Sequence, residues 1–79
     1  MLRSIAAENL PLTMKEGDLG QYFEEFSPFE VKIAYNKKGV SLGKGQIIFP
    51  TRKTRQQALR KLTGNVVYNN NVIVIKPAH

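Results

Sequence analysis

Residues 41–49 alternate between two kinds of side chain, and the other segments are interpreted by their relation to this stretch. Because alternate side chains of a strand point to opposite faces of a sheet, the stretch predicts a central strand with two different faces. One face carries Gly43, Gly45, Ile47 and Phe49. These residues are small at the start and bulky at the end, as expected where helices cross a strand. The opposite face carries Lys44, Gln46 and Ile48.

A period of two also predicts the remaining strands. Residues 3–10 form the first, in which Ile5 and Ala7 face inward while Ala6 and Glu8 face outward. Residues 29–35 form another, with inward positions at Phe29, Val31, Ile33 and Tyr35. Two short apolar runs, 66–68 and 72–75, flank three asparagines at 69–71 and predict a hairpin, because asparagine tolerates positive φ.

Two stretches have helical periodicity. A Thr-Met-Lys-Glu capping box at residues 13–16 predicts the start of the first helix, which ends at Ser27-Pro28. Its apolar stripe consists of Leu19, Tyr22, Phe23 and Phe26. Thr51 is the predicted N-cap of the second helix, which ends at Thr63-Gly64. Its buried stripe consists of Thr54, Ala58, Leu59 and Leu62.

The order of elements predicts an α+β fold of the βαββαβ, ferredoxin-like type. Four antiparallel strands form the sheet, two helices cover one of its faces, and a small hairpin precedes the last strand. The 79 residues suffice for one small domain, and we expect residues 1–79 to be that domain, excised from a longer protein. We expect a monomer.

The net charge of +6 conceals an asymmetry along the chain. Residues 1–30 carry two basic and six acidic groups, a balance of −4, whereas residues 31–79 carry ten basic groups and no acidic one, a balance of +10. If the fold keeps these parts on different surfaces, the basic surface favours a polyanion.

Several function classes lack the residues they need. The chain has no cysteine and its one histidine is His79, which excludes disulfides and Cys/His zinc sites. No apolar run approaches the roughly 18 to 20 residues needed to span a membrane. The carboxylates are confined to residues 8–30, with no histidine, cysteine or lysine set beside them to tune a pKa. We therefore expect neither an enzyme nor a cofactor.

Residues 42–49 resemble the RNP1 signature of the RNA-recognition motif (RRM), and residues 5–10 resemble its companion RNP2. The inward positions of RNP1 match the signature. The outward ones differ, because Lys44, Gln46 and Ala6 stand where the family places its base-stacking aromatics, and Leu42 stands where Lys or Arg is usual. The resemblance implies the RRM fold without its usual stacking chemistry.

Weak, largely electrostatic binding of single-stranded RNA, with low sequence specificity, is the leading interpretation. The expected RNA contacts are Lys32, Lys37, Lys38, Lys44, Gln46 and Lys76. A basic second helix would contact phosphates or an acidic partner through Arg52, Lys53, Arg55, Arg60 and Lys61. Alternation places Tyr35 on the core side, away from RNA.

The alternative is a protein-interaction module, because the outer sheet face offers aliphatic residues in place of rings. This patch would combine Ala6, Ala34 and Ile48 with one pair of residues from the last strand. Either Val72 with Val74 or Ile73 with Ile75 could be that pair, and we assign Ile73 and Ile75 to it.

Residues 34–49 also resemble the corresponding run of the Aly/REF class of mRNA export adaptors, in which Y-x-x-x-G-x-S-L-G precedes a strand without stacking aromatics. This resemblance implies a nuclear protein, with possible shuttling to the cytoplasm, in mRNA processing or export. It also implies a protein partner in a messenger ribonucleoprotein or export complex.

Overall fold

Two helices pack on one face of a five-stranded antiparallel sheet in the computed structural model, which describes residues 3–62, 65–68 and 71–77. In chain order the elements are β1 (Ser4–Glu8), α1 (Glu16–Gln21), a short 3-10 helix (Glu24–Phe26), β2 (Glu30–Tyr35), β3 (Ser41–Ile48), α2 (Arg52–Leu62), β4 (Asn65–Tyr68) and β5 (Asn71–Pro77). No helix in these ranges is long and apolar enough to cross a membrane.

The strands lie in the order β2-β3-β1-β5-β4. Four of them, β2, β3, β1 and β5, form with the helices the predicted βαββαβ arrangement. The fifth, β4, pairs antiparallel with β5 at the edge, and the register of Tyr68 opposite Asn71 confirms the predicted hairpin. The turn at 69 and 70 and the helix stop at 63 and 64 lie outside the described residues.

The core lies between the helices and the inward face of the sheet. Ile5 and Ala7 of β1 face Ile47 and Gly45 of β3, and all except the glycine belong to one buried apolar cluster. Gly45 has a specific reason to be glycine, because a Cβ there would lie 2.8 Å from the Lys32 carbonyl oxygen. The inward face predicted for β3 is therefore confirmed.

The first helix is shorter than the sequence predicts. A four-residue turn over 11–14 replaces the expected capping box, and the helix begins at Glu16, where the Asp18 carboxylate accepts a hydrogen bond from the Lys15 backbone N–H at 3.0 Å. It ends at Gln21 after six residues, followed by the 3-10 helix. Gly17 and Gly20 weaken the helix by roughly 1 kcal/mol each relative to alanine, consistent with its short span.

The ends of β2 also differ from the prediction. Phe29 was assigned to the core but is 75% exposed. It precedes the first residue of β2, an edge strand that has a neighbour on one side only. Tyr35 does point to the helix side, as predicted, and its hydroxyl donates to the Glu16 carboxylate at 3.0 Å. It is nevertheless 37% exposed, at the end of β2 where the β2–β3 register shifts.

The assignment of Ile73 and Ile75 to the outer sheet face is wrong. Both are buried in the core cluster, and Ile75 lies opposite the inward residue Ala7. With a period of two, Val72 and Val74 face outward, and both are exposed. The alternative pair was thus the correct one.

The second helix follows its prediction except at Arg55. Thr51 caps the helix, since its Oγ1 accepts a hydrogen bond from the Thr54 N–H at 3.2 Å. Arg55 was predicted to lie on an exposed basic face, but it is only 7% exposed, and its Nε donates to the Ser4 carbonyl at 2.8 Å. Arg55 therefore joins α2 to β1 and is unavailable to a partner.

We predict that Arg55→Ala lowers the free energy of unfolding by about 1 to 3 kcal/mol, because it leaves the Ser4 carbonyl without its buried charged donor. The control is Arg60→Ala on the exposed face of the same helix, which should change stability by less than about 0.5 kcal/mol. Chemical denaturation of both variants measures the difference. Equal losses would contradict a structural role for Arg55.

Candidate nucleic-acid interface

The face of the sheet away from the helices, here called the open face, brings most of the predicted contact residues together. The pairing registers place Lys32, Gln46, Ala6 and Lys76 in one row across four strands. A second row contains Lys44, Glu8 and Val74. Strand alternation and the pairing register together assemble lysines that are up to 44 residues apart in the chain.

A shallow depression of about 340 Å³ lies on the open face between β2 and β3. The side chains of Lys32, Ala34, Lys44 and Gln46 line it, together with residues 33 and 45. Lys44 and Gln46 occupy the positions where RNP1 has stacking aromatics. The depression therefore offers two cations and an amide, and no ring.

Carboxylates partly neutralise the open face. Lys76 forms an ion pair with Glu8 at 2.5 Å, and Lys32 approaches Glu30 at 3.8 Å. The hydrogen bond and the charge of Lys76, with a smaller contribution from the charge of Lys44, lower the pKa of Glu8. Among the described residues, no ion pair engages Lys44. Lys44 is thus the open-face lysine most available to an anion.

The turn at 36–39, here called the basic turn, presents Lys37 and Lys38 beside the sheet. The Asn36 side-chain oxygen accepts hydrogen bonds from the N–H groups of Lys38 at 2.8 Å and Val40 at 3.0 Å. Gly39 adopts a φ of 82°, a left-handed conformation that glycine adopts without strain. These bonds fix the backbone while both lysine side chains remain exposed.

The basic surface of α2 is smaller than predicted. Arg52, Lys53 and Arg60 are exposed, but Arg55 is buried, and Lys61 donates to both carboxylate oxygens of Glu25 at 2.7 and 2.9 Å. This surface lies on the helical side of the sheet. One short strand of RNA therefore cannot contact it and the open face together.

The predicted aliphatic patch is only partly present. Ala6 and Ala34 do lie on the open face, but Ile48 is buried although it points to that side. Exposed aliphatic residues at the β4–β5 edge of the open face are instead Val67, Val72 and Val74. Sequence analysis missed Val67 as an outward residue and Glu8 as the partner of Lys76, which only the strand register reveals.

The family model described as the RNA recognition motif matches residues 6–73. The chain belongs to this family. No curated protein sequence matches it. The fold of this RRM is similar to that of several solved structures, all of them below 25% identity, so that each likeness concerns the fold alone.

Three of these solved structures show how similar the fold is. The Sex-lethal RNA recognition domains 1 and 2 of Drosophila melanogaster match with a TM-score of 0.86 and 22% identity over 98% of this chain, which spans 50% of that one. A Sex-lethal protein/RNA complex gives the same score and identity, with 98% and 47% covered. The second RRM of the yeast poly(U)-binding protein Pub1 matches with a TM-score of 0.83 and 20% identity, over 96% of this chain and 93% of that one.

We predict that Lys76→Gln raises the pKa of Glu8 toward its ordinary value, because the cation that stabilises the carboxylate is removed. Because the pKa of Glu8 is lowered in the folded RRM, its ion pair stabilises the fold above the ordinary carboxyl pKa, and this stabilisation is lost as the pH falls through the lowered value. An NMR pH titration of the Glu8 carboxyl measures the shift.

The control for this titration is Lys53→Gln, which removes an exposed cation on the opposite side of the sheet. It should leave the Glu8 titration unchanged. If both variants shift the midpoint equally, the general charge of the domain determines the pKa, and the ion pair does not.

Proposed function

We propose that this RRM binds single-stranded RNA weakly and with low sequence specificity, through backbone phosphates. The observation that carries the proposal is the depression between β2 and β3, where Lys44 and Gln46 occupy the positions of the stacking aromatics. A lysine side chain binds a phosphate as a point charge and does not read the base. The RNA complex of the similar Sex-lethal fold supports RNA as the ligand class.

The absence of the stacking aromatic rings determines the RNA affinity that we expect. Stacking of a base on an aromatic contributes about 1 to 3 kcal/mol, so two or three absent rings remove on the order of 2 to 6 kcal/mol. Since each 1.4 kcal/mol is a factor of about ten in affinity, binding falls toward the micromolar range or weaker. Lys44, Lys37 and Lys38 supply the remaining attraction, assisted by Lys32.

The three exposed cations of α2, Arg52, Lys53 and Arg60, form a second contact surface for phosphates or an acidic partner. The geometry gives it less weight than the open face, since it is a convex helix surface and two of its five predicted cations are engaged elsewhere.

A nuclear role in mRNA processing or export, with possible shuttling, is part of the same proposal. It rests on the resemblance of residues 34–49 to the Aly/REF class, and the comparisons add no support to that resemblance. Microscopy of the tagged full-length protein tests it, and a protein that stays outside the nucleus would contradict it.

The second candidate function is protein binding by the open face. One observation favours it, the exposed strip of Val67, Val72 and Val74 at the β4–β5 edge. RNA contacts made by the lysines would lie nearer β2 and β3, so substitutions at Lys44 and Gln46 distinguish the two functions.

We predict that raising the salt concentration fourfold weakens RNA binding by about 20- to 50-fold, the effect of three or four phosphate contacts. Each substitution Lys37→Gln or Lys38→Gln should reduce the log–log slope by about 0.7, whereas the control Lys15→Gln, an exposed cation beside α1, should leave the slope unchanged. Fluorescence anisotropy with labelled RNA measures these slopes. A nearly salt-independent affinity would reveal a base-reading site and refute binding through phosphates.

We also predict that the double substitution Lys44→Phe with Gln46→Phe strengthens RNA binding, by about 1 to 3 kcal/mol for each base that stacks, less the loss of one cation. The matched control is Lys15→Phe with Gln21→Phe, which changes the same residue types at exposed positions at the two ends of α1, on the helical side of the sheet. If the open-face variant is folded and its RNA affinity is unchanged, this face is not the RNA surface. That result would support the protein-binding function instead.

A further inference from the structure

A groove of about 430 Å³, here called the leucine groove, lies at one end of the sheet, apart from the depression between β2 and β3. It runs between the segment that follows β1 and the start of β3. Its walls include Leu10, Pro11, Leu12, Leu42, Lys44 and Asn71. Three leucines and a proline form its apolar part, and the rest of the lining is polar, with Lys44 and Glu8 as its charged residues.

Hydrogen bonds between three segments hold the leucine groove in shape. The Leu10 N–H donates to the Gly43 carbonyl at 3.0 Å, and Gly43 adopts a φ of 73° beside the Leu10 backbone. The Asn9 side chain donates to the Val72 carbonyl at 2.8 Å, and the Asn71 side chain donates to the Asn9 carbonyl at 3.4 Å. A groove formed in advance spares a ligand the cost of ordering it.

Two leucines of this groove are exposed at positions where polar residues are usual. Leu12 is 64% exposed at a corner of the turn closed by the Met14 N–H and the Pro11 carbonyl, where glycine, asparagine, aspartate or serine is common. Leu42 is 53% exposed at the position where RNP1 has Lys or Arg. The binding of RNA phosphates uses neither leucine.

The charges around the leucine groove favour an acidic ligand. Lys44 lines it, and the basic turn that precedes Leu42 carries Lys37 and Lys38. Glu8 also lines it, but Lys76 holds that carboxylate in an ion pair. The surroundings are therefore positive, whereas the exposed leucines require apolar contact.

We propose that the leucine groove docks an extended acidic segment of a partner protein, whose aliphatic or aromatic side chains cover Leu12 and Leu42 while its carboxylates meet Lys44. Nucleic acid could satisfy the lysines, but its phosphates would not cover two leucines. This site is separate from the proposed RNA contacts, apart from the shared Lys44.

A peptide selection tests the proposal. Random peptides displayed on phage are selected on the immobilised RRM, and a Leu12→Ser, Leu42→Ser double variant serves for counter-selection. The expected peptides combine carboxylates with large apolar residues. In NMR titrations with a selected synthetic peptide, the amide signals of residues 9, 10, 12 and 42–44 should move. Each single leucine variant should weaken binding about tenfold, and Lys44→Gln should also weaken it.

The control is Phe29→Ser, which removes an exposed apolar side chain beside Ile48, at the opposite end of β3, and should leave peptide affinity unchanged. Thermal unfolding should show both leucine variants to be folded, since both side chains are exposed. Selection of basic peptides, or no enrichment over the double variant, would overturn the proposal. So would an RNA affinity that falls as much as the peptide affinity in the leucine variants, because the groove would then belong to RNA. If the RRM binds the peptide but does not bind RNA, only the proposed RNA-binding function is refuted.

Discussion

The close approach of three segments at Gly45 is the constraint on which the rest of this RRM depends. The space beside its Cα is filled by the Lys32 carbonyl and the side chains of Leu10 and Leu19. A side chain there would force β3 away from its neighbours. Because successive residues of a strand alternate between faces, this packing also fixes Lys44 and Gln46 on the open face. Core packing and the chemistry of the candidate site are thus set by the same strand.

Sequence periodicity predicted the strands and most of their inward faces, because one residue of slip would expose the whole core face of a strand. Periodicity was less successful where the type of a residue suggested exposure but its position in the pattern suggested burial. Arg55 lies three, four and seven residues before Ala58, Leu59 and Leu62, so the helical period places it on the buried face. Its charge suggested exposure. Only the fold supplies the Ser4 carbonyl that makes the burial of an arginine favourable.

Formal charge overstates what this domain offers to a polyanion. Of the ten basic groups in residues 31–79, Lys32, Lys61 and Lys76 face carboxylates, and Arg55 is bound to a backbone carbonyl. Six remain, and the sheet divides them into two sets of three. One set comprises Lys37, Lys38 and Lys44, and the other comprises Arg52, Lys53 and Arg60. The partners of Lys61, Lys76 and Arg55 come from distant segments, so composition could not reveal them, whereas Lys32 pairs with Glu30 of its own strand.

Apolar and charged character have changed places along β3, relative to the RNP1 signature. The signature begins with a basic residue and has an aromatic two positions later, whereas this chain has Leu42 and then Lys44. The cation therefore stands two positions further along β3, beside the depression, where a lysine can attract a phosphate but cannot stack on a base. The apolar side chain stands at the start of the strand instead, where Leu42 is the second exposed leucine of the leucine groove. This exchange of residue types is therefore the common basis of the proposed weak base recognition and of the proposed groove for a protein segment.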